Sequence, residues 1–142
     1  METAFIYAIT AAITWGLVYT IDQKILTGVA PRTLLFIDSV VTAVMLVPFI
    51  LLSKASIRQA LVTNQVSWPL IVFAAILAGL ANFLIFSGIK SLKASTASVI
   101  EITYPFFVVL FTYLLFHSIP NLYFFVGGVV VFIGSIVVIK FT

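Results

Sequence analysis

The chain has 142 residues, of which 63% are apolar and only 8% charged, with a mean hydropathy of +1.32. A water-soluble domain carries roughly a quarter charged residues, so this composition excludes a soluble globular fold and makes lipid the solvent. The net charge of +3 comes from basic residues set singly at segment ends, which excludes a nucleic-acid-binding face, and the lack of cysteine excludes disulfides, thiol nucleophiles and thiolate metal sites.

A helix that spans a bilayer needs about 20 mostly apolar residues. Five stretches satisfy this, roughly 3–26, 32–52, 68–90, 95–116 and 121–140, and together they predict one all-α integral membrane domain. The first opens on Glu2 without a basic leader or a small-residue cleavage site, so it reads as a mature span rather than a signal peptide. Gly28 and Pro31 close it. The third starts at Trp68-Pro69, with Ser67 as its N-cap. Between the second and third, 53–67 holds Lys54, Arg58, Gln59 and Asn64 and reads as a short interfacial helix with Ile57 and Leu61 toward lipid. The remaining connections are short, so neighbouring helices run antiparallel. An odd number of spans puts the termini on opposite sides. Lys24, Arg32, Lys90, Lys93 and Lys140 share one side against Lys54, Arg58 and the amino terminus, which favours N-terminus out, by a bias small enough to allow both orientations.

The polar groups inside the spans carry the chemistry. Glu101 lies in the apolar fourth span, four residues before Pro105. Proline lacks an N–H, so the Glu101 carbonyl loses its helical donor and the helix is opened, or kinked, there. An ionisable side chain at membrane depth is costly and usually faces a protein or aqueous interior. Asp22 and Asp38 sit near the same membrane face by depth. Together with Glu101 they form either a polar cavity for a proton, a cation or a charged substrate group, or interfacial partners of the basic rim. Trp15, Tyr19 and Asp22 share one helix face, as an aromatic cavity wall or as ordinary packing. Tyr104, one turn from Glu101, either bonds to it or packs. Asn82 on the third span either meets substrate or makes an interhelical hydrogen bond. The single His117 at a helix end makes no metal site. Gly127, Gly128 and Gly134, with Ser135, give the last span a small-residue face for dimerisation or for close packing within the chain. No GxxxxGK[ST] loop or catalytic triad is present, so no ATPase, cofactor or enzyme activity is expected.

Several of these pieces, in order, resemble one EamA-type repeat of the drug/metabolite transporter superfamily. They are TWG from Thr14 to Gly16 with Lys24 after it, Pro31 opening the second helix, GIKSLKASTASVIEITYPF from Gly88 to Phe106, and GGVVVFIG from Gly127 to Gly134. The last helix is also similar to the dimerising helix of small multidrug resistance proteins. Many members carry an acidic residue where His117 stands, and typical members have two inverted five-helix repeats where this chain has one. The resemblance implies a half-transporter completed by an antiparallel homodimer or by an inverted homologous partner. It further implies secondary transport of a small organic solute, by proton exchange or facilitated diffusion, in a cell (plasma or inner) membrane. Inverted halves place a binding site near the midplane and allow alternating access. The alternative is a non-transporting membrane subunit or assembly partner whose acids only fix helix register.

Overall fold

The computed structural model describes residues 2–52, 68–118 and 121–141. The 53–67 connection and the Ser67 cap lie outside them. The described residues form helices α1 (Glu2–Ile25), α2 (Pro31–Leu52), α3 (Trp68–Leu92), α4 (Ala94–Glu101), α5 (Tyr104–Phe116) and α6 (Leu122–Phe141). With α4 and α5 counted as one span, five are long and apolar enough to cross a membrane. Large apolar side chains stay exposed on every span, among them Phe5, Phe36, Leu84, Phe111 and Val130. Lipid covers such surfaces where water would not.

Lipid supplies no hydrogen bonds, so several hydroxyls within the spans are satisfied inside their own helix. The hydroxyls of Thr10, Thr14, Thr20, Ser39 and Ser87 each donate to the carbonyl four residues back, all at 2.8 Å. At the end of α1, the Gly28 and Val29 amides both bond to the Ile25 carbonyl, and Pro31 then opens α2 where a helix needs no N–H. The reversal between α3 and α4 is made by Lys93 alone, with φ 73° and ψ 159°. That region is sparsely populated for any residue with a Cβ.

Two compact units are distinguished by their contacts, Met1–Lys24 with Gly88–Thr142, and Ile25–Ser87. In the first, α4 packs on α6. Its buried residues include Asp22, Ile89, Ala94, Thr96, Ala97 and Ser135, and a Cβ on Gly88 would sit 3.8 Å from that of Ala97. Short side chains here let the backbones approach. In the second unit, Leu26, Leu34 and Phe86 are buried.

The fourth span is not one helix. α4 stops at Glu101 and α5 starts at Tyr104, with Pro105 in its first turn. Across the break the Thr103 amide bonds to the Ile100 carbonyl, so the Val99 carbonyl loses its usual donor. The Ser135 hydroxyl, on α6, points at Val99 O (3.2 Å) and Val131 O (2.9 Å). This accounts for a buried serine in an otherwise apolar helix.

Candidate functional site

The break fixes the position of Glu101, the last residue of α4. Its carboxylate accepts a hydrogen bond at 2.7 Å on Oε2 from the Tyr19 hydroxyl of α1, 82 residues away in sequence. The other oxygen, Oε1, has no hydrogen-bond partner among the described residues. Both side chains are half-buried. The Tyr19 ring meets Trp15 one turn earlier, with centroids 5.4 Å apart and planes tilted by 52°. Trp15 is itself about half exposed (49%), whereas Asp22, three residues beyond Tyr19 on the same helix face, is buried at 7%. The arrangement is a carboxylate with one oxygen held by a phenol whose ring in turn meets that of Trp15.

α4 is held at both ends. The Gln23 side chain, at the end of α1, accepts a 2.6 Å hydrogen bond from the Ala94 amide, one of the donors a helix start leaves without an internal partner. Ser135 holds the other end through Val99. Two residues after Ala94, the buried Thr96 hydroxyl has no hydrogen-bond partner among the described residues. Gln23 gave no signal in the sequence, because its partner lies 71 residues on in another helix.

The remaining sequence candidates divide. Tyr104 opens α5 with 60% of its surface exposed, and the phenol bonded to Glu101 is that of Tyr19. Asp38, exposed on α2, and Asn82, half-buried on α3, belong to the second unit. Gly127 and Gly134 have open space where a Cβ would go, but a Cβ on Gly128 would lie 2.9 Å from Phe106 Cζ. Phe106 in turn packs edge-on against Phe132, with centroids 5.9 Å apart. Gly128 is therefore used inside the chain, as the seat of the α5 ring. Two apolar recesses of about 320 and 280 Å³ flank that ring, and neither is lined by Glu101 or Tyr19. His117 caps α5 in the left-handed conformation, its amide bonded to the Tyr113 carbonyl at 2.9 Å.

No curated protein and no solved structure matches the chain. The profile of the EamA-like transporter family, in contrast, matches residues 2–140, all five spans included. The chain thus belongs to the EamA-like transporter family, as a multi-pass membrane protein of a group that carries small solutes.

Proposed function

We propose that the chain is half of a proton-coupled secondary transporter for a small organic solute, completed by an inverted partner, and that Glu101 is its coupling carboxylate. The observation that carries this reading is the Tyr19–Glu101 hydrogen bond inside a spanning segment. A carboxylate at that depth is costly unless it is protonated or paired. When proton and cargo compete for one such group, the carboxylate is never empty in transit, and the two fluxes are linked. Trp15, Tyr19, Asp22 and Tyr104 form the cavity wall in this reading. The α4–α5 break at Pro105 is the point where a span flexes between its outward and inward states. Five helices enclose a solute poorly, whereas two inverted sets enclose it at the midplane. An antiparallel homodimer is the simplest source of the second set, joined through Gly127 and Gly134 in the plasma or inner membrane.

The test is transport by the full chain reconstituted in lipid vesicles under an imposed pH gradient, with a pool of small organic solutes. Gradient-driven movement should be lost in Glu101→Gln and partly kept in Glu101→Asp. Unchanged gradient-driven movement in Glu101→Gln would remove Glu101 from the coupling role.

A further inference from the structure

We infer that the backbone carbonyls of Glu101 and Ile102, at the break between α4 and α5, are an acceptor subsite for the solute, and that the solute is an uncharged molecule with an apolar body and O–H or N–H donors. This rests on the transport reading of the fourth span and adds a contact distinct from the Glu101 carboxylate.

The carbonyls at the end of α4 differ in what they receive. Ser98 accepts from the Ile102 amide at 2.9 Å, and Val99 from the Ser135 hydroxyl at 3.2 Å. Ile100 takes both the amide (3.2 Å) and the hydroxyl (2.7 Å) of Thr103. The Phe106 amide, which a continuous helix would give to Ile102, goes to the Thr103 carbonyl at 3.1 Å. The donor to Glu101 would be residue 105, a proline without an N–H. The Glu101 and Ile102 carbonyls therefore accept no bond from a backbone N–H of the described residues, and the Thr103 hydroxyl is spent on Ile100.

Depth decides what must meet these two oxygens. Glu101 lies about 10 Å along the axis from Ala94, where the span opens. Lipid tails donate no hydrogen bonds, and non-helical backbone at such depth persists only where it is buried in protein or lines a wet cavity. Ile102 is about half exposed (49%), so the protomer does not bury the break. That side of the span faces the pathway, where water and solute supply the donors.

Carbonyl chemistry selects the solute. A carbonyl oxygen carries partial negative charge and no proton, so it turns away an anion and takes a donor. A full positive charge would reach lipid depth against partial charges only, whereas an uncharged group satisfies both oxygens and leaves no net charge. The same donors also suit Glu101 once its proton has left. Ile102 and Pro105, which flank the break, line the recess of about 320 Å³ beside Phe106, and that apolar surface fits an apolar body.

The chain has no cysteine, so a single introduced thiol reports its own surroundings. Thiols react with methyl methanethiosulfonate as thiolates, which form only where water reaches them. In the full chain in lipid vesicles, Ile102→Cys should react at least about tenfold faster than Val108→Cys, a position as exposed (52%) and as far from Pro105, the middle of the span. Benzamide, whose NH₂ carries donors, should slow the Ile102→Cys reaction saturably. N,N-Dimethylbenzamide, which has no donor, and benzoate should not. Pro105→Ala gives the Glu101 carbonyl an N–H and should weaken the benzamide effect about tenfold. Equal rates at the two thiols would mean that lipid or a second protomer covers the break, and would overturn the inference. A fast reaction that benzamide does not slow would leave water alone at the carbonyls, and equal slowing by the dimethyl amide would leave apolar contact alone. Either result overturns the subsite, as does an unchanged benzamide effect in Pro105→Ala; if that variant does not fold, the two amides decide. Absence of the benzamide effect beside gradient-driven movement that still depends on Glu101 removes the subsite and leaves the coupling carboxylate. The converse removes the carboxylate and leaves the subsite.

Discussion

The Tyr19 hydroxyl donates to Glu101 Oε2 at 2.7 Å, tying the last third of the first span to the residue at which the fourth span breaks. Leaving one partner of a buried hydrogen bond unsatisfied costs about 1–3 kcal/mol, and half-exposure places this one near the lower end. Tyr19→Phe should therefore fold but lose about 1–2 kcal/mol in detergent unfolding. In the Glu101→Gln background the same change should cost markedly less. A double-mutant cycle on thermal unfolding measures this directly, and additive losses would show that the two side chains are not energetically coupled.

Gly128 is the seat of Phe106, with 2.9 Å between an added Cβ and the ring. Gly128→Ala forces the ring or the helix to shift and should destabilise by about 1–3 kcal/mol, the usual cost of overpacking. Phe106→Leu in the same chain should recover most of the loss. Gly127→Ala, with nothing within 4 Å of its Cβ, should not destabilise and should gain up to about 1 kcal/mol from the lower chain entropy of alanine in a helix. Unfolding midpoints of the four proteins in one detergent decide the matter.

Those open positions carry the assembly prediction. Gly127 and Gly134 are seven residues apart, hence on one face of α6, and both have free space beside them. If the proposed inverted dimer forms through this face, Gly127→Leu with Gly134→Leu should convert it to a monomer on crosslinking and size analysis while the unfolding midpoint of the protomer stays put. A dimer that survives both changes would put the contact on another face.

Lys93 holds the α3–α4 reversal with φ 73° and ψ 159°. Such a backbone costs about 1–3 kcal/mol for a residue with a Cβ, and glycine gives back about 0.5–1 kcal/mol of that through chain entropy. Lys93→Gly should thus raise stability by about 1 kcal/mol, seen as a higher unfolding midpoint. Lys93→Ala keeps the Cβ and should show no such gain.

The fold and the site were legible to different degrees, for physical reasons. A span is a property of a continuous run, so five apolar stretches predict five membrane crossings without knowledge of any contact. Pro105 is likewise a local signal. Its ring is tolerated in the first turn of a helix and not deep inside one, so the chain divides at Ile102–Thr103 and restarts at Tyr104. The partner of Glu101 is a tertiary fact. Spacing along one helix brings Tyr104 forward, whereas the rotation of α1 and α4 about their own axes selects Tyr19. The glycines show the same limit. Their period groups Gly127 with Gly134, but whether Gly128, about 100° round the helix, meets lipid or Phe106 depends on where α5 lies. Gln23 and Ser135 acquire meaning only once the ends of α4 are known.

The most direct measurement of the central claim is infrared difference spectroscopy of the full chain in lipid, following the protonated carboxyl C=O stretch as solute is added at constant pH. If Glu101 exchanges its proton for cargo, solute should bleach a carboxyl band in the wild type, the band should be absent in Glu101→Gln, and it should move in Tyr19→Phe, where the phenol contact is gone. A solute-induced carboxyl band that persists unchanged in Glu101→Gln, or solute binding with no carboxyl change at all, would contradict the account.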